Sequence, residues 1–155
     1  MKRTKRIIAL LLKFGTLISA AGFIGSTLIQ IYARFFMESA PSWTEEAARF
    51  FFIYAMSFAA GLAMKDKYYV HLDLVYDKLK ENQKKVLDLN ISIIVFMMFL
   101  IMSIFSIEFI VLGIPENSPS LGISMSIAFA SVLVMALSIG VFAFFDMLKN
   151  LKKLL

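Results

Sequence analysis
A chain of 155 residues has the length of one domain, yet 60% of its residues are hydrophobic and only 17% charged, against roughly 45–50% and about 25% in soluble domains. With 16 Phe, 10 Met and a mean hydropathy of +0.81, it carries more apolar surface than a soluble body of this size can cover, which argues against a soluble enzyme and a disordered chain. The lack of cysteine and the single histidine exclude disulfides, thiolate chemistry, zinc–thiolate and iron–sulfur sites, and a bis-histidine haem within one chain. The net charge of +5 gains meaning only when the charges are placed.

The first uncharged run, Phe14–Ala33, is 20 residues between Lys13 and Arg34. About 20 apolar residues at ~1.5 Å rise cross a ~30 Å hydrocarbon core, so a first membrane helix is expected over 14–37. MKRTKR followed by this run has the pattern of a signal peptide. The run is longer than the ~7–15 apolar residues of one, and the segment is read as retained. A second helix is expected over 44–64. Its dry part, Phe50–Met64, is 15 residues. Ahead of that part stand Glu45, Glu46 and Arg49, so its outer turns belong at headgroup level or inside protein. Ser42 or Thr44 is expected to cap this helix, with Pro41 just ahead. Trp43 falls where aromatic belts form. Glu45 and Glu46 precede Arg49 by four and three, spacings that share a helix face, and they sit in a first turn where negative charge suits the helix dipole. Arg34 and Glu38 are likewise four apart at the end of the first helix.

Residues 65–85, KDKYYVHLDLVYDKLKENQKK, are expected to form a cytoplasmic loop. Leu72, Val75 and Leu79 recur at helical spacing with Lys, Asp and Glu between them. That pattern predicts a short amphipathic helix on the membrane surface, anchored by Tyr68, Tyr69 and Tyr76. His71, near Asp73 but without a second His or Cys, suits a partner chain or a lipid headgroup better than a metal. A third helix is expected over 86–112, around the uncharged run Leu89–Ile107. GIPENSPS is a turn cluster with two prolines, and Pro119 shapes the start of a fourth helix, expected over 121–147. Its small residues, among them Gly122, Ser124, Ala128, Ser131, Ala136, Ser138 and Gly140, allow close helix contact in lipid. Barrel strands would need short alternating segments. The fold class is therefore an all-α integral membrane protein, one membrane domain over 1–155 with four transmembrane helices.

Fourteen of the sixteen Lys and Arg lie in the N-terminal tail, residues 65–85 and the C-terminal tail. All three fall on one side of a four-helix chain, which by the positive-inside bias puts both termini in the cytoplasm. Orientation and anionic phospholipid headgroups account for the surplus charge, and no nucleic-acid partner is needed. A transporter that works alone usually carries ionisable groups near the midplane. Here Asp88 and Asp146 lie near inner ends, and Glu108 is within about a turn and a half of an outer end. Membrane Ser and Thr mostly bond backbone or a neighbouring helix. No catalytic, substrate or metal site and no cofactor is expected. An accessory subunit fits best. The alternatives are an autonomous small transporter acting as a homo-oligomer, which would need a membrane-embedded acid in an early helix, and an electron-transfer subunit, for which paired His and Cys are lacking.

Three motifs in order, SWTEEAARFF, FAAGLAMKDKYYVHLDL and SPSLGIS, resemble the small membrane subunit of tripartite ATP-independent periplasmic (TRAP) transporters, the DctQ-like family. The Trp-x-Glu-Glu-x-x-Arg pattern opening that family's second helix is matched by Trp43, Glu45, Glu46 and Arg49. Its Gly near the end of that helix and a His ten residues on are matched by Gly61 and His71. Its Pro-x-Leu-Gly-Ile-Ser start to the last helix is matched by Pro119, Leu121, Gly122, Ile123 and Ser124. The family's Tyr and then Pro inside the fourth helix are not matched: Phe129 holds the aromatic position and Pro is absent. The resemblance covers nearly the whole chain. It implies a multi-pass subunit of the bacterial inner membrane beside a large membrane subunit, which carries substrate and Na⁺ sites and moves by an elevator motion. A periplasmic substrate-binding protein docks on such complexes, which take up organic acids such as C4-dicarboxylates or sialic acids. The small subunit enlarges the fixed scaffold. On this reading Trp43, Glu45, Glu46, Arg49, His71, Pro119 and Leu121 are expected at the interface with the large subunit or lipid.

Overall fold
Where no water reaches the backbone, an uncharged run satisfies its own peptide groups as a helix. A computed structural model of the chain describes residues 2–37, 41–66 and 79–154. Among these are four α-helices: α1 (Lys2–Phe36), α2 (Trp43–Asp66), α3 (Glu81–Leu112) and α4 (Met125–Leu154). Each contains a stretch long and apolar enough to cross a membrane.

The helix ends differ from expectation for local reasons. α1 takes in the basic N-terminal turns, and its 35 residues make a rod of about 52 Å. α3 starts at Glu81 rather than 86, because Glu, Asn, Gln and Lys continue a helix without penalty once its start is fixed. That start is fixed by the Lys80 N–H, which donates to the Gln83 side-chain oxygen at 3.0 Å. α4 starts at Met125 rather than 121 and runs on to Leu154. The expected loop 65–85 is therefore shortened at both ends. Lys65 and Asp66 close α2 with an ion pair of 2.9 Å, and Leu79 and Lys80 lie outside any helix. His71 and the other residues of the expected amphipathic helix, Tyr68, Tyr69, Leu72, Val75 and Tyr76, lie outside the described residues, as does Glu38, the expected partner of Arg34.

The chain makes two antiparallel hairpins, α1 with α2 and α3 with α4, joined along α2 and α4. The end holding both chain termini is here the base, and the opposite end the crown. In the first hairpin, Gly15 and Gly22 lie seven residues apart beneath the rings of Phe58 and Phe51, also seven apart; a Cβ at either glycine would come within 2.8 and 2.6 Å of those rings. Between the hairpins, a Cβ at Gly61 would come within 2.6 Å of Ser138 and 2.9 Å of Leu12. The small-residue face of α4 thus lets three helices meet. It makes α4 the most enclosed span, 39% buried, while α3 is only 6% buried.

The hydrophobic core occupies the base half. Ala9 and Leu12 of α1, Met64 of α2, and Ile139, Phe142 and Ala143 of α4 form it, with Phe58, Phe96 and Phe99 packed against them. Polar contacts extend it. Lys5 pairs with Asp146 at 3.4 Å and lies 5.0 Å from the Phe145 ring. The buried Asn150 amide donates to Ser92 Oγ at 2.9 Å and to the Asp88 carbonyl at 3.3 Å, tying α4 to α3.

Candidate functional site
The crown has less apolar packing between the hairpins, and polar groups join them there. The first turn of α2 presents Trp43, Thr44, Glu45 and Glu46 in four directions. Trp43 is exposed. Thr44 is fully buried. Its hydroxyl and N–H both donate to the Pro41 carbonyl, at 2.7 and 3.2 Å. The expected Thr44 cap is thus corrected: its hydroxyl donates backwards instead of accepting a helix N–H, and so fixes the turn into α2.

Glu45 and Glu46 part company. Glu45 pairs with Arg49 at 3.1 Å, both side chains about two-thirds exposed. Glu46, about 100° further round the helix, points to the α3–α4 connection. Its Oε2 accepts the Ser118 hydroxyl and the N–H groups of Ser120 and Leu121, at 3.0 and 2.9 Å. The three charges expected as one cluster therefore serve two purposes, an exposed intrahelical pair and an interhelical anchor.

The anchored segment is built to converge on one oxygen. Residues 113–124 fold back as a hairpin-like turn. Asn117 bridges Ser124, Ser118 N–H donates to the Ile123 carbonyl at 2.9 Å, and Met125 N–H donates to the Glu116 carbonyl at 2.8 Å. Pro119 has a fixed φ and no N–H, which leaves Ser120 and Leu121 as the next backbone donors. Gly122, at φ 66°, completes the reversal in a region disfavoured for other residues. Successive N–H groups of this kind make an anion cradle, and here the chain's own carboxylate fills it. The arrangement holds structure together and leaves no open anion site. Pro119 is accordingly not at the helix start but six residues ahead of it, in the turn that Glu46 grips.

One level deeper, the Tyr54 hydroxyl donates to the Ile127 carbonyl at 2.6 Å. Phe109 of α3 stacks on Phe129 of α4 with ring centroids 4.0 Å apart. Tyr54 is eleven residues into α2, so these contacts lie about 11–16 Å inward of Trp43. Glu108, next to Phe109, therefore sits well inside the span. The expectation of a charge-free interior is corrected there: the 113–124 turn, not α3, occupies the outermost level.

The sequence reading missed Ser118, Ser120, Tyr54 and Asn150. A hydroxyl one residue before a proline, in a turn already flagged as a turn, was the available signal for Ser118. Asn150 in an otherwise apolar and basic helix end was the signal for the base contact. Trp43, Glu45, Glu46, Arg49, Pro119 and Leu121 do gather at the crown, whereas His71 lies outside the described residues. No group of three or more Asp, Glu or His placed to hold a metal occurs among the described residues.

A family model described as the DctQ component of tripartite ATP-independent periplasmic transporters matches residues 23–153. The chain belongs to the DctQ family. The whole crown and the Asn150 contact lie inside the matched stretch. A protein of Haemophilus influenzae strain Rd, described as a TRAP transporter small permease protein, is 27% identical over 120 residues, covering 77% of this chain and 73% of the relative. This DctQ protein is thus the small permease subunit of a TRAP transporter and not an enzyme. It is a multi-pass membrane protein with four candidate spans, and its membership implies the other TRAP subunits as partners.

Proposed function
We propose that this subunit works as a passive scaffold. It extends the fixed part of a large membrane subunit that binds Na⁺ and an organic acid of the C4-dicarboxylate or sialic acid type, delivered by a periplasmic binding protein. Both termini then face the cytoplasm of the inner membrane. Trp43 and the exposed Glu45–Arg49 pair, with His71, meet the large subunit or phospholipid headgroups. Glu46, Pro119 and Leu121 keep the crown in the shape that presents them.

The observation that supports this reading is the use made of interior hydroxyls. Ser57, Ser103 and Ser131 donate to the carbonyls of Ile53, Phe99 and Ala128 in their own helices, at 2.6–2.7 Å, and Thr16 and Thr27 do the same at 2.9 and 2.8 Å. Groups that could strip water from a solute are spent on backbone. Transport chemistry then belongs to a companion. Affinity purification from native membranes is expected to bring down a large hydrophobic subunit. The chain reconstituted alone is expected to drive no Na⁺-dependent uptake of dicarboxylate or sialic acid. Uptake by the chain alone would overturn the proposal.

A further inference from the structure
α3 is the least enclosed span, yet it carries the one carboxylate that the structure places deep in a candidate membrane segment. Ser106 is buried toward α4. Glu108, two residues on, is about 200° away round the helix and exposed. No described residue bonds or pairs with it. It continues a seven-residue repeat with Ile94 and Ile101, flanked by Ile104 and Phe105, all of them exposed. Apolar residues follow it as well as precede it, from Phe109 to Ile114. Lipid tails offer a carboxylate no donor, and such groups normally turn inward or find a partner. The other outlying helix differs: the outward residues Leu17, Ile24 and Leu28 of α1 lie in a run with no charge between Lys13 and Arg34, which suits lipid.

We infer that the outward face of α3 docks on a membrane helix of the large subunit, with Glu108 accepting from an Arg, Lys or other hydrogen-bond donor of that helix. This rests on the scaffold reading above and adds the surface through which the scaffold is joined.

A photo-crosslinking amino acid placed at Phe105, and in a separate variant at Leu28, tests the inference in the complex purified from native membranes. The Phe105 variant is expected to crosslink to the large subunit, and the Leu28 variant to lipid. With the complex intact, absence of that product from Phe105, or products only with lipid or with a second copy of this chain, would overturn the inference. Glu108→Leu is expected to reduce recovery of the large subunit at least about tenfold, because it strands a buried donor, with Glu108→Gln losing less. The amount of Glu108→Leu subunit in the membrane should match wild type, since the change removes a charge from an apolar face. Wild-type recovery of the large subunit by Glu108→Leu would also overturn it. Failure of the unaltered chain to bring down any large subunit would instead sink the scaffold proposal.

Discussion

Replacing Glu46 with alanine removes the one acceptor on which the Ser118 hydroxyl and two N–H groups converge. Water can reach part of this site, so the loss is partial, but the turn also loses its only described side-chain tie to α2. Glu46→Ala is expected to lower the melting temperature of the detergent-solubilised complex clearly, and Glu46→Gln less. Glu45→Ala should stay near wild type, because exposed ion pairs contribute little. Equal melting of the Glu45 and Glu46 alanine variants would refute the anchor. Gly61 is a second decisive residue. A Cβ there would lie 2.6 Å from Ser138, and overpacking of this kind costs about 1–3 kcal/mol. Gly61→Ala should therefore destabilise, and Ser138→Gly in the same chain should restore part of the loss. Gly25, whose added Cβ would meet nothing within 4 Å, is the control: Gly25→Ala should be neutral or stabilise by about 0.5–1 kcal/mol.

At the level of elements, the Asn150 amide links two helices whose facing residues are otherwise mostly apolar. Asn150→Leu leaves Ser92 Oγ without that donor and is expected to cost about 1–3 kcal/mol, seen as a lower melting temperature and faster amide exchange around Asp88 and Ser92. The four helices were legible in the sequence, because uncharged runs of 19 residues or more have no other way to satisfy their backbone in lipid. Their ends were less so. Lys80 and Gln83 start α3 by a side-chain contact that hydropathy does not register, and the Gly122 reversal delays α4. The Glu45–Arg49 pair followed from spacing alone. The Glu46 anchor did not: its partners lie 72–75 residues away and are brought near only by the parallel packing of α2 and α4. The depth of Glu108 was hidden in the same way, since the outermost level is filled by a turn that counting residues assigns to solvent.

For the molecule as a whole, orientation is the property most open to direct measurement. The chain has no native cysteine, so single cysteines report position without background. With the crown outside, Glu116→Cys should react with a membrane-impermeant maleimide on intact spheroplasts, and Lys152→Cys only after lysis. The reverse pattern would invert the proposed topology. The placement of the core then has a mechanical meaning. The base is closed by interlocking side chains from all four helices, and no single change would open it. The crown is fastened between hairpins by one carboxylate and one tyrosine hydroxyl. A neighbour that slides across the bilayer would find stiff footing on one surface of the membrane and a yielding one on the other.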